Sequence, residues 1–512
     1  MNPKNIEILI NNSARLYKNS KYLISTTKDN YSITFDQLKM FKDCFRFFLK
    51  KEKVYTKDKI LVLFENCDLL SLLFLSILGN GRVYVPINPQ SSEKEISHIV
   101  NLVNPKFIIY DLNYKKKFQP SILKKIHSIG ILEHHNFIEK IFSYKKFYKD
   151  YLVKSKDISQ ILFTSGSTGY PKGVVLTHES MIANLLGIQN RLKLVGKKNF
   201  LAATPLYHNN GQFTPTLLPL LIGGSTFPTR ADTSIVSFWS LCKDKKINYS
   251  SLMATHINYF VKMDVIHKLK NLEGIFCGGA KLDESIRKNF EKKFKVKILT
   301  NYGLTETSSI VATEGLSSHD RKDHSVGKVL INNKIKIINK KKYNKENTNE
   351  VGEIYVKGDN LFKEYFKNKK LSNNIKKNNW LKTGDLGYLD KKKFLYIKDR
   401  IDSMFIVSGE NIYPTEIEKF LHLFKEIQLG VVIPIPDKYT GFKSVLIYEG
   451  RKKLNYLKFK KIISKYLASF KIPKKIIHCS EISLDEIPKA PNKKILRSKL
   501  KNYVYEFLDL FE

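Results

Sequence analysis

Short apolar runs alternate with helix-period segments along the first 150 residues, and this rhythm limits the fold more than any other feature. Ile60-Leu61-Val62-Leu63-Phe64 carries no polar residue, as expected of a strand buried on both faces of a parallel sheet. Thr34-Phe35-Asp36-Gln37-Leu38 opens a helix whose apolar stripe continues at Phe41, Phe45 and Phe48. Tyr84-Val85-Pro86-Ile87-Asn88-Pro89 reads as a strand ending in a turn. Ile96, Ile99 and Val100 mark the next helix, and Phe107-Ile108-Ile109-Tyr110 another strand. Strands that alternate with helices need crossover connections, so the expected class is α/β with parallel sheets. The rhythm resumes from 158 to about 312.

Between 326 and 400 it gives way to short β pieces at Lys334 to Ile338, Gly352 to Val356 and Phe394 to Ile397. The polar stretch 339–349 reads as an exposed hairpin tip. From about 401 the chain has its own strands, at Gly430 to Ile435 and Ser444 to Tyr448, and an amphipathic helix near Leu457 to Leu467. The predicted organisation is a large domain, 1–399, of parallel α/β subdomains plus a β-rich subdomain. A small α+β domain, 400–512, follows it.

At 512 residues the chain exceeds one small domain, and 42% hydrophobic residues make it globular. Its formal charge of +40 invites a nucleic-acid reading, but only ten of the 88 basic residues are Arg. Nucleic-acid faces cluster charge and favour Arg for bidentate contacts. Scattered Lys, Asn and Ile fit the product of an AT-rich genome, so no specific nucleic acid is expected. Membrane contact is expected to be peripheral at most. The five cysteines (Cys44, Cys67, Cys242, Cys277 and Cys479) form no CxxC pair, which suits a reducing cytoplasm rather than a disulfide framework or zinc site. The longest apolar run, Leu69 to Leu78, is too short to span a bilayer and reads as a buried helix.

Thr164, Ser165, Gly166, Ser167, Thr168 and Gly169, then Tyr170, Pro171 and Lys172, stand between two apolar runs. Glycines allow close backbone approach, hydroxyls and N–H groups donate hydrogen bonds, and a lysine neutralises charge: the components of a phosphate cradle. Four further strings accompany it. Asn301-Tyr302-Gly303-Leu304-Thr305-Glu306-Thr307 follows a strand. Trp380-Leu381-Lys382-Thr383-Gly384-Asp385 follows a turn. Lys398-Asp399-Arg400-Ile401-Asp402 precedes Ser408-Gly409-Glu410-Asn411-Ile412-Tyr413-Pro414. Ile487 to Arg497 contains Lys493 and Lys494. Each alone is explained as an ordinary turn or charged patch; five in this order are not.

Together they resemble the adenylate-forming superfamily of acyl-CoA and aryl-CoA ligases, peptide-synthetase adenylation domains and firefly luciferase. The resemblance covers essentially the whole chain. It implies an enzyme that joins a carboxylate to AMP, releases pyrophosphate and passes the acyl group to a thiol, with ATP, Mg²⁺ and CoA. It implies that Thr164 to Gly169 with Lys172 hold the β- and γ-phosphates. Tyr302 would stack on adenine within the string Asn301-Tyr302-Gly303, and Thr305 would contact the α-phosphate. Glu306 would ligate Mg²⁺, as a hard oxygen donor does. Asp385 and Arg400 would reach the ribose, and Gly278, Gly279 and Ala280 would wall the adenine and acyl group. Lys494 would bridge the attacking carboxylate and the α-phosphate. Asp402 would be the hinge of a swinging small domain, and Ser408, Gly409 and Glu410 would line the pantetheine tunnel.

The chain departs from the family pattern at Asp399, where Gly is frequent, at Ser403, and at Lys493, where Gly is usual. The last leaves Lys493 as the alternative to Lys494, although Pro488 and Arg497 favour Lys494. Gly303-Leu304-Thr305-Glu306 is ligase-like, and His208 stands where ligases place a pocket gate. No acidic residue lies between Tyr207 and Thr226 to hold an α-amine. The first expectation is therefore an acyl-CoA ligase acting on a fatty or other carboxylic acid. The second is an adenylation enzyme that loads a carrier protein, whose acidic surface would suit this basic chain. A degenerate binding protein comes third.

Overall fold

The computed structural model describes residues 2–144, 152–164, 171–230, 235–263, 269–279, 282–339, 350–401, 403–407, 410–437, 441–467, 471–490 and 495–509. These divide into two compact units: Met1–Ile335 with Tyr355–Lys382 and Lys391–Leu395, and Lys336–Ile354 with Thr383–Asp390 and Tyr396–Glu512.

The first unit is built on two large mixed sheets, as the alternating sequence predicts. One has seven strands, in the order Glu364–Tyr365, Lys172–Thr177, Ile158–Thr164, Val83–Pro86, Lys59–Leu63, Phe107–Asp111 and Ser128–Ile131. The five from Ile158–Thr164 to Ser128–Ile131 are parallel; the other two pair antiparallel at one edge. Lys59–Leu63 lies mid-sheet and is buried along its apolar run. The second sheet has nine strands, in the order Lys328–Val329, Ile310–Thr313, Lys297–Gly303, Gly274–Cys277, Tyr249–Leu252, Asn199–Ala202, Ser225–Pro228, Lys21–Ile24 and Ser32–Thr34. Its middle strands are parallel and both ends close antiparallel.

The helices form for the reasons that sequence pattern suggests. Thr34 caps Phe35–Lys51 in a reciprocal capping box with Gln37, and the helix buries Phe35, Leu38, Phe41, Phe45 and Phe48. The apolar run from Leu69 becomes Asp68–Gly79, buried at every position. No helix among the described residues is long and apolar enough to cross a membrane.

The second unit has its own cores. Leu429–Asp437 and Gly441–Glu449 form an antiparallel pair, and Lys475–His478 adds parallel to the latter. One face packs Phe459 and Ile463 of the helix Tyr456–Ile463. The other packs Leu500 and Val504 of the helix Arg497–Asp509. A ten-residue strand, Trp380–Leu389, runs through the segment for which the sequence indicated only a turn before Asp385.

Candidate active site

The phosphate-type loop rises from a β-hairpin. Thr164 ends one strand, Lys172 begins the next, and the two face each other as the last antiparallel pair. Ser165, Gly166, Ser167, Thr168 and Gly169 lie outside the described residues, as do Ala280, Asp402, Ser408, Gly409, Lys493 and Lys494.

Lys172 does not stand alone. Its ammonium lies 5.2 Å from the centroid of the Tyr365 ring, and the Tyr365 hydroxyl donates to Glu306 Oε1 at 2.6 Å. Tyr365 is placed by its short strand, paired with Val174 beside the hairpin. The Glu306 carbonyl accepts the Phe362 N–H at 2.8 Å. A cation, a ring and a carboxylate from three distant segments thus meet at the mouth of the loop. Glu306 Oε2 accepts no hydrogen bond among the described residues.

Thr305 and Glu306 sit on the tight turn Thr305–Thr307, which follows the strand Lys297–Gly303. Asn184 clamps this turn from below. Its Nδ2 donates to Ile310 O at 2.6 Å and to Thr307 O at 3.4 Å, and its Oδ1 accepts the Ile310 N–H at 3.2 Å. Asn360 Nδ2 donates to Thr307 O at 2.9 Å. Gly303 is required by space, because a Cβ there would stand 1.6 Å from Ser309 O. Tyr302 is buried one residue earlier.

The His208 segment joins the same turn through Asn209, whose Nδ2 donates to Ser308 O. Asn66 shapes the approach: its Nδ2 donates to Ala202 O and Thr204 O, and its Oδ1 accepts the Leu206 N–H at 2.8 Å. Burial holds the His208 imidazole well below its ordinary range, at about 4, so the ring is neutral near pH 7. Its ring meets that of Tyr207 edge-on at 4.7 Å. Gly278 lies under the Asn301 side chain, and a Cβ there would be 2.0 Å from Asn301 Oδ1. Gly279 takes φ +80°, with Asn210 Nδ2 3.7 Å from where its Cβ would be. Within the first unit, therefore, Lys172, Glu306 and Thr305 meet, Asn209 joins them to His208, and Asn301 covers Gly278.

In the second unit Asp385 and Arg400 are paired, Nη1 to Oδ1 at 3.2 Å, with Asp385 buried and Arg400 substantially exposed. Gly384 at φ +73° turns the chain under the guanidinium. Asp399 has a definite role here: its Oδ1 accepts the Arg400 N–H at 2.7 Å, and its Oδ2 accepts the Thr415 N–H and hydroxyl. One buried carboxylate thereby ties the strand Leu395–Arg400 to the first turn of Pro414–Glu418. The short strand Phe405–Val407 pairs antiparallel with Glu410–Ile412, Val407 opposite Glu410. Lys489 bridges Ile495, and Leu496 N–H donates to Pro488 O, making a stem for the segment that carries Lys494. Arg497 anchors that stem through Glu418 at 2.6 Å and Val432 O at 2.9 Å.

Sequence reasoning missed Tyr365, Asn184, Asn209 and Asn66. Asn209 stands next to His208 and Asn66 just after the strand at Ile60 to Phe64, but all four are distant in sequence from what they hold.

The AMP-binding enzyme family model matches residues 10–366, which includes the loop, Glu306 and Tyr365 and ends before Asp385, Arg400 and Lys494. The 4-coumarate–CoA ligase-like 9 of Arabidopsis thaliana is 28% identical over 84% of this chain and 77% of its own length. The 2-succinylbenzoate–CoA ligase of Oceanobacillus iheyensis is 28% identical over 86% of this chain and 88% of its own. The solved o-succinylbenzoate–CoA synthetase of Bacillus subtilis, in complex with ATP and magnesium, superposes with a TM-score of 0.83 at 24% identity. The match covers 96% of this chain and 99% of that one, and at this identity it speaks for the fold. With the family model matched over most of its length, this chain belongs to the AMP-binding enzyme family.

Proposed function

We propose that this chain activates a carboxylic acid with ATP to an acyl-adenylate and passes the acyl group to CoA. The observation that carries the reading is the Lys172–Tyr365–Glu306 cluster at the mouth of the phosphate-type loop, in a chain whose similar proteins include CoA ligases. In the first step a carboxylate oxygen attacks the α-phosphorus and pyrophosphate leaves. In the second a thiol sulfur attacks the acyl carbonyl and AMP leaves.

The residues suit Mg²⁺ on a nucleotide. That ion takes one or two carboxylates and fills its remaining positions with phosphate oxygens and water. Glu306 offers one carboxylate oxygen while Tyr365 fixes the other. Bound there, the ion would neutralise charge on the phosphates. Lys172 and the loop from Thr164 to Gly169 take the β- and γ-phosphates, Thr305 takes the α-phosphate, and Tyr302 takes the adenine between Asn301 and Gly303. Gly279 and Ala280 form the wall, while Asp385 and Arg400 take the ribose. Lys494 supplies positive charge between the two reacting anions, a contact whose loss costs on the order of 10²–10³ in rate. Residues 400–512 act as the mobile small domain hinged at Asp402, with Ser408, Gly409 and Glu410 along the path of the thiol. The separate cores of the second unit support this division. A neutral His208 and the lack of an acidic residue from Tyr207 to Thr226 support an acid without an α-amine. We place the reaction in the cytoplasm.

Exchange of labelled pyrophosphate into ATP, across short-chain, fatty and aryl acids, tests the first half-reaction. Exchange should require one class of acid and Mg²⁺; exchange with none of them would refute the reading. A preference for holo-carrier protein over CoA in the second step would shift the acceptor to a carrier.

A further inference from the structure

The phosphate-type loop leaves the carboxyl end of Ile158–Thr164, a strand parallel to Val83–Pro86, Lys59–Leu63, Phe107–Asp111 and Ser128–Ile131. The amino ends of the same sheet carry a different feature. Lys59 opens one strand, Lys106 precedes its neighbour, and His127 precedes the next. The ladder holds them side by side: Lys106 N–H donates to Lys59 O at 2.9 Å, and Ile108 N–H to His127 O at 3.0 Å. Lys51 closes the helix Phe35–Lys51, Lys125 closes Pro120–Lys125, and both come to the same place.

These segments enclose a cavity of about 710 Å³, the size of a small-ligand site. Six of its twelve lining residues are Lys, against 78 of 512 in the whole chain, so the cavity is more than a sample of a lysine-rich surface. Its two carboxylates already hold partners. Glu52 Oε2 is 2.6 Å from His127 Nε2, and Asp58 Oδ2 accepts the Tyr55 N–H at 2.7 Å. Lys51 lies over the Phe47 and Tyr144 rings, and Lys57 is 3.8 Å from Asp157 Oδ1. Lys53, Lys59, Lys106 and Lys125 are in no ion pair among the described residues. Lys59 is half-buried and shares the Phe366 ring with Lys367, the two ammoniums standing 5.7 and 5.5 Å from its centroid. Burial, and then Lys367, hold the Lys59 ammonium below its ordinary range, and Asp58 offsets only part of this. Cations gathered in a concavity without a counter-charge repel one another and focus their field on an incoming anion.

We propose that this cavity binds a compact phosphate polyanion, held by Lys53, Lys59, Lys106 and Lys125. Lysine meets phosphate as a point charge, so several ammoniums around one concavity suit a ligand with several phosphate charges close together. A soluble polyphosphate and a phosphorylated lipid headgroup both offer that chemistry. Neither Lys172 nor Glu306 lines the cavity, and the proposal stands apart from the adenylation reading.

Lysine acylation of the whole protein with N-hydroxysuccinimidyl acetate at pH 8, read by peptide mass, tests the site with two probes. One is inorganic triphosphate; the other is phosphatidylcholine vesicles carrying a phosphatidylinositol phosphate. A bound anion stabilises the ammonium and acylation needs the free amine, so labelling should slow about tenfold at Lys59, Lys106 and Lys125. Lys193 and Lys262, exposed and outside the cavity, should label as before. Protection by triphosphate assigns a soluble ligand, and protection by the vesicles alone assigns a lipid headgroup. Reversing two exposed charges together, Lys106→Glu with Lys125→Glu, should abolish the protection of Lys59 in a protein with the wild-type far-ultraviolet spectrum. Protection by neither probe, equal protection from sodium chloride at the same ionic strength, or full protection of Lys59 in the reversed variant would overturn the assignment.

Discussion

Glu306, the proposed Mg²⁺ ligand, has one of its two carboxylate oxygens already engaged. The 2.6 Å bond from Tyr365 fixes Oε1, and the same ring lies under the Lys172 ammonium. Tyr365→Phe keeps the ring and removes the hydroxyl. A hydrogen bond to a charged group contributes about 1.5–3 kcal/mol, so the variant should need at least about tenfold more Mg²⁺ for half-maximal pyrophosphate release. An unchanged Mg²⁺ titration would show that Tyr365 only fills space. Glu306 was legible in the sequence because it belongs to a continuous string. Tyr365 was not, since it stands 59 residues away and reaches the carboxylate only through strand pairing. Asp399 was legible as a departure, but its purpose was not: the partner that explains it, Thr415, lies 16 residues on.

Among the elements, the turn after Lys297–Gly303 depends on the absence of a side chain. Gly303→Ala would drive a Cβ into the Ser309 carbonyl, so the expected outcome is loss of pyrophosphate exchange with the far-ultraviolet spectrum retained. Wild-type exchange in that variant would contradict the packing. The helix His178–Leu192 carries a different liability. His178 is buried, neither ring nitrogen has a hydrogen-bond partner among the described residues, and burial lowers it from 6.5 to about 4. A depressed histidine is protonated first in the unfolded chain. Its contribution is therefore complete above about pH 6.5 and erodes as pH falls toward 4, by up to about 3 kcal/mol. His208 adds a loss of the same sign. His134 is shifted the other way, so its contribution is complete below 6.5 and leaves this window unchanged. Urea unfolding at pH 7 and 4.5 should show a smaller acid loss for His178→Leu than for wild type; equal losses would refute the assignment. The elements with a clear period were legible: Phe35–Lys51, Lys59–Leu63 and Asp68–Gly79 form where their apolar patterns place them. Trp380–Leu389 was not, because its Thr383-Gly384-Asp385 centre has turn composition and Gly384 takes a positive φ within the strand.

At the scale of the molecule, the α/β class and the separate C-terminal cores follow from the sequence rhythm, whereas the sheet order does not. Leu23 pairs with Thr226 across some two hundred residues, and no local pattern specifies such a partner. The proposed division of labour makes a prediction at this scale. Lys494→Ala should lose acyl-adenylate formation yet still thioesterify an acyl-adenylate supplied from outside. Survival of both half-reactions would move the role to Lys493 or elsewhere. The central claim, that one chain couples both steps, is tested most directly by incubating the protein with ATP, Mg²⁺, CoA and a panel of carboxylic acids and measuring AMP and acyl-CoA together. The account predicts equal amounts of the two for one class of acid and none without acid; ADP in place of AMP, or no acid-dependent product across the panel, would contradict it.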